Sequence, residues 1–204
     1  MAVKLTKNEL KTQKDQLKQF TRYLPTLQLK KQQLQIVIRQ IYAELDEKSK
    51  ERQKMIGNLG DWVAVFAENT LFDDSKKLEN LVIPDSVESS TENIAGVQIP
   101  VFENLTFKPI EYEVEDYPLW VDTALVKLRE IARLDALVKV LQKRADLLER
   151  ELQTTSQRVN LFEKVKIPQA RENIRVIGIY LGDQQTSAVV RGKIAKKKLQ
   201  GANA

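Results

Sequence analysis

The chain has 204 residues, with 33 Lys and Arg against 28 Asp and Glu, and it contains neither cysteine nor histidine. Missing cysteine excludes a disulfide framework, thiolate catalysis and Cys-based zinc or iron–sulfur sites. Missing histidine removes the usual base at neutral pH and the commonest metal ligand. Only 6% of residues are aromatic while 30% are charged, with 7 Gly and 6 Pro; that balance favours long charged helices over a sandwich or barrel. Such a chain works through shape and contacts. We expect no catalytic residue, no cofactor and no metal.

The net charge of +5 is unevenly spread. Arg191, Lys193, Lys196, Lys197 and Lys198 supply five positive charges, so the remainder is neutral, and residues 73–116 hold eleven acids against three basic residues. The asymmetry suggests different partners for the middle and the ends. Residues 1–7 are too charged for a signal peptide, and no apolar run approaches the roughly 20 residues that cross a bilayer. We expect a cytoplasmic protein, at most peripheral to a membrane.

Residues 1–60 carry a heptad seam: Leu10, Leu17, Phe20, Leu24, Leu27, Leu34, Ile38, Ile41, Leu45, Met55 and Leu59, with Gln13 and Lys31 among the polar interruptions. A repeat of 3.5 sustained this long signals a coiled-coil helix. Pro25 lies inside it and should bend it, and Gly57 and Gly60 mark its end. The middle, residues 61–117, differs in kind. Val97, Ile99 and Val101, then Ile110, Tyr112 and Val114, alternate as strands do; they predict a β-hairpin over 94–102 and 105–114. The Ser- and acid-rich residues 85–93 read as a loop. Residues 62–66 fit a short strand or a buried helical turn.

Residues 118–190 hold a second seam: Leu128, Ile131, Leu134, Val138, Leu141, Ala145, Leu148, Leu152, Thr155, Val159 and Phe162, resuming after Pro168 with Ile174, Ile177 and Leu181. Residues 191–204 form a basic tail. Helices of about 55 and 65 residues each span roughly 80–100 Å. Two such helices in one chain fold back most simply as a long antiparallel coiled coil with a small central β-hairpin region; a parallel homodimer is the alternative. Pro25 and Pro168 would then face each other in a shared bend.

The segment 155–168 reads T-S-Q-R-V-N-L-F-E-K-V-K-I-P. It resembles the C-terminal helix of the D subunit of the V-type (vacuolar and archaeal/bacterial) rotary ATPases, T-x-x-R-V-N-A-L-E-x-[VI]-x-[IL]-P, matching at Thr155, Arg158, Val159, Asn160, Glu163, Val165, Ile167 and Pro168. Asn93-Ile94-Ala95-Gly96-Val97-Gln98-Ile99-Pro100 is similar to the family's N-I-x-G-V-x-[VI]-P. Leu27, Lys30, Lys31 and Leu34 match L-L-K-x-K-R-D-x-L, although Gln32 stands where an Asp is usual. The family's Glu- and Arg-rich stretch near the C-terminus is replaced here by residues 183–188.

The resemblance implies a central-stalk rotor axle, a non-catalytic subunit transmitting torque between ATP hydrolysis or synthesis and ion translocation. Its implied partners are the catalytic and regulatory nucleotide-binding subunits around the two chain termini, the small F subunit near the hairpin, and the subunit connecting to the membrane ring. Partner contacts implied by the matched positions are Lys30, Lys31, Arg158, Asn160, Glu163, Pro168, Ile94, Gly96 and Val97. Arg191 and Lys193 of the basic tail join them. An axle also needs a polar outer face, which Lys30, Arg39, Lys143, Arg144, Arg150 and Arg158 could supply.

Bland readings stand beside these. Arg158, Val159 and Asn160 fit an ordinary coiled-coil surface, and Glu111, Glu113 and Glu115 fit a solvated strand edge better than a metal site. The run Lys196–Lys198 lacks aromatic stacking partners, so nucleic acid is not expected. There is no phosphate-binding Gly-rich loop. A prefoldin-like chaperone is the runner-up and a basic RNA-binding coiled coil the third reading. A chaperone needs apolar helix tips, whereas this tip is lysine-rich.

Overall fold

The computed structural model describes residues 3–60, 80–110, 112, 117, 118 and 120–202. Their order is helix α1 (Lys7–Gly60), strands β1 (Pro84–Ile94) and β2 (Val97–Phe107), helix α2 (Val121–Leu161), a π-helical turn (Phe162–Lys166) and helix α3 (Ile167–Ala202). The fold is mainly α with one small antiparallel sheet, as the heptads predict. Contacts divide it into two units, residues 1–31 with 154–204, and residues 32–153.

In the unit of residues 32–153, Leu34, Ile38 and Ile41 of α1 close on Leu141, Ala145 and Leu148 of α2. Each large aliphatic side chain so buried contributes about 1.5–3 kcal/mol. The Tyr42 hydroxyl donates to Glu149 at 2.8 Å, and Arg52, further along α1, pairs with Asp135 earlier in α2. Rising numbers on one helix meet falling numbers on the other. The seams therefore close antiparallel within a single chain, which decides against the parallel homodimer.

The hairpin lies on this seam. Ile99 is fully buried in the same cluster, and Ile94, Ala95 and Val97 pack around it. Ala95 and Gly96 both take positive φ, 51° and 83°, the two-residue turn whose twist suits a hairpin. Asn93 Oδ1 accepts the Gly96 N–H at 2.9 Å and steadies it. Pairing runs from Ile94 opposite Val97 to Pro84 opposite Phe107.

This corrects the expected hairpin. Residues 85–93, read as a loop, form most of β1, while Ile110 and Tyr112 lie in no strand. β1 is exposed along nearly its whole length, so both its faces are polar and no alternation betrays it; its backbone ladder to β2 holds it. Ile110 and Tyr112 are apolar for another reason. They pack with Trp120 around Leu81, Val121 and Leu125, a second cluster at the start of α2. Residues 62–66, Glu111, Glu113, Val114 and Glu115 lie outside the described residues.

In the unit of residues 1–31 and 154–204, α1 starts where Thr6 Oγ1 accepts the Glu9 N–H at 3.2 Å, half of a Thr-x-x-Glu capping box. Thr155, Val159, Ile167, Ala170 and Ile177 are buried, whereas Leu10, Leu17, Phe20, Leu24 and Leu27 are half-buried. The Phe20 and Phe162 rings stand 5.2 Å apart, and Asn173 Nδ2 donates to Gln13 Oε1 at 3.2 Å. Gln16 and Phe20 share a groove with Lys166, Gln169 and Ala170. Pro168 thus lies level with Gln16–Phe20, and Pro25 is five residues on, about 7 Å along the axis. The two prolines do not face each other.

The register is testable. Ile38→Asp or Leu148→Asp places an unpaired carboxylate at a site 7% or 0% exposed, and should cost about 3 kcal/mol or more. Chemical denaturation of the two variants checks this, and an unchanged midpoint would refute the seam.

Candidate functional site

The residues singled out from sequence fall into two groups. Ile94, Gly96 and Val97 belong to the unit of residues 32–153, and Lys30, Lys31, Arg158, Asn160, Glu163, Pro168, Arg191 and Lys193 to the other. Ile94 and Val97 are half-buried against Leu34, Ile38, Leu141 and their neighbours. They fasten the hairpin to the helices. Gly96 is exposed at the turn, where its φ of 83° is unfavourable for any residue bearing a Cβ.

Lys30 and Lys31 are half-buried, with Leu34 fully buried one turn on. The 155–168 segment has a buried and an exposed set, and apolar Leu161 and Val165 belong to the exposed one. Thr155, Val159 and Ile167 are buried in the seam, while Arg158, Asn160, Glu163 and Pro168 are exposed. The segment therefore has an inner set that packs and an outer set left to solvent. Of the expected outer cations, Arg144 is an exception: its side chain is 16% exposed and its guanidinium approaches Glu92 of β1 at 3.9 Å.

Electrostatics here are those of a hydrated surface. Arg175 lies 2.6 Å from Glu172 and holds its carboxyl below the usual range, chiefly through that hydrogen bond. The hydrogen bond to Glu149 pushes the Tyr42 phenol up. Among the described residues no group of three or more acids could hold a metal ion, and no helix is long and apolar enough to cross a membrane.

A further surface lies where the sequence showed a basic tail. Only six residues of α1 precede Gln13, whereas 29 of α3 follow its partner Asn173. α3 thus overruns α1 by roughly 23 residues, about 35 Å at 1.5 Å per residue. From Gly182 to Gln200 every residue is exposed. Val189, Val190, Ile194 and Leu199 stand 50–69% exposed among Arg191, Lys193 and Lys196–Lys198. The sequence signal was the spacing of Val190 and Ile194, one turn apart. The basic tail is helical.

Each unit pairs helices along an apolar seam; one carries the hairpin and the other an exposed basic helix end. Residues 9–197 match the family of the ATP synthase D subunit. The chain is 49% identical to the V-type ATP synthase D subunit of Borreliella burgdorferi over 97% of this chain and 95% of that protein. It is 33% identical to the protein of that name from Chlamydia pneumoniae, covering 97% and 93%, and 34% identical to that of Chlamydia muridarum, covering 97% and 96%. The chain belongs to the ATP synthase D-subunit family.

The turn offers a direct check. Gly96→Ala imposes a Cβ at positive φ and should cost about 1 kcal/mol. Because the hairpin lies on the seam, the loss should appear in the melting of the whole chain and not only in the hairpin.

Proposed function

We propose that this chain is the central-stalk rotor axle of a V-type ATP synthase, a non-catalytic subunit that carries torque between nucleotide-driven and ion-driven motors. The observation that carries the reading is the antiparallel helix pair from which one helix overruns its partner by roughly 23 residues. Family membership gives it the context of a multisubunit complex.

The physical chemistry supports the role. Closing two seams on each other stiffens both helices, as torque transmission requires. A turning shaft must avoid deep sockets in its bearing, and the outer residues Arg39, Lys143, Arg150 and Arg158 are exposed and hydrated. Such contacts hold weakly, at about 0–1 kcal/mol for each exposed pair. The bare end of α3, with Val190 and Ile194 among cations, suits insertion into the ring of catalytic and regulatory nucleotide-binding subunits. We place the small F subunit and the connector to the membrane ring toward the hairpin. The protein is then cytoplasmic and peripheral to the membrane through its complex. The prefoldin-like alternative gains nothing from the family match over residues 9–197.

Truncation after Val190 tests the orientation. The shortened chain should dock more weakly to the nucleotide-binding hexamer, with a smaller salt dependence, and should retain the small partner. Pull-downs at two salt concentrations check both. Loss of the small partner with the hexamer spared would turn the axle upside down.

A further inference from the structure

The seam changes its step at one place. Between Thr155 and Phe162 the inward residues are spaced four and three apart, and from Ile167 to Leu181 they resume at three and four: 167, 170, 174, 177, 181. The step from Phe162 to Ile167 is five. It coincides with the π-helical turn Phe162–Lys166, in which the Ile167 N–H bonds back to the Phe162 carbonyl. A π turn holds one residue more than an α turn. We propose that this turn is a one-residue phase insertion, pinned in place by the seam on both sides, which decides the residues of the C-terminal helix that close against α1.

The pinning is visible in what any other placement would bury. Without the extra residue, Lys166, Gln169 and Asn173, which now border the groove beside Gln13 and Phe20, would move to the middle of the seam, and Ile167, Ala170 and Ile174 would turn outward. With the insertion a turn earlier, Asn160 and Glu163 would replace Val159 and Phe162. Both alternatives exchange apolar residues for polar ones against half-buried Leu10, Leu17 and Phe20. Within the turn only Phe162 is half-buried, and Glu163–Lys166 are exposed, so the bulge falls on the outer side.

The same phase explains Pro168. In a regular α-helix its missing N–H would orphan the Lys164 carbonyl and its ring would clash there. The ladder is already broken at this level, and Pro168 is exposed, so it is accommodated without a separate kink. The turn is a consequence of the seam, and the proline follows it by two residues.

Two single-residue deletions in the full-length chain separate phase from mere shortening. Deleting Lys164 together with Pro168→Ala lets a continuous α-helix keep Val159, Phe162, Ile167, Ala170 and Ile177 inward. It should melt within about 2 °C of the parent. Deleting Arg171, an exposed residue of the regular helix, forces either Ile177 or Ile167 out of the seam. It should lower the melting temperature by about 5 °C or more, or prevent folding. Equal losses in the two would overturn the proposal. Since the chain has no cysteine, a single Lys166→Cys reports burial by its rate of thiol labelling. Labelling should be fast with Pro168 present and equally fast with Pro168→Ala. Protection in the alanine background would show that the proline makes the turn and the seam does not.

Discussion

Everything in this molecule hangs on one constraint: an apolar stripe on each of two helices must leave water, and the other stripe is what is available to cover it. Leu34, Ile38 and Ile41 against Leu141, Ala145 and Leu148 meet it in one unit, and Val159, Ile167, Ala170 and Ile177 in the other. The burial is non-directional, so it brings the helices together without choosing a register. Directional contacts add that choice. Tyr42 to Glu149, Arg52 to Asp135 and Gln13 to Asn173 each tie one position of α1 to one of the returning helix.

The hairpin shows how the constraint recruits a neighbouring element. A two-stranded ribbon has too little core to be stable alone. Here Ile99 supplies the missing burial by entering the helical cluster, and Ile94 and Val97 flank it. Residues that look like a docking motif in the sequence thus serve first as an anchor. The solvent-facing part of the hairpin is strand β1, with Glu88 and Glu92 exposed.

The surface follows from the same logic by subtraction. Once the seam is filled, Arg39 of α1 and Lys143 and Arg158 of α2 are left exposed on the outer side. At the end of α3 no second helix among the described residues covers Val190 and Ile194. That stretch keeps both its apolar residues and its cations exposed over an unbroken run, Gly182 to Gln200.

Much was determined by sequence alone, because heptad spacing is a local property. The two long helices, the buried identities of Leu34, Ile38, Leu141 and Leu148, and the family resemblance through residues 155–168 are all readable along the chain. Strand β1 was not, since a strand exposed on both faces has no alternation to display and exists only through pairing with β2. The inward turn of Ile94 and Val97 and the withdrawal of Arg144 toward Glu92 required knowing what lay opposite. The five-residue step at Phe162–Ile167 is written in the sequence, but its meaning is not. An extra residue becomes a π turn only when the partner helix rewards the apolar phase on both sides, and that reward exists only in the folded pair.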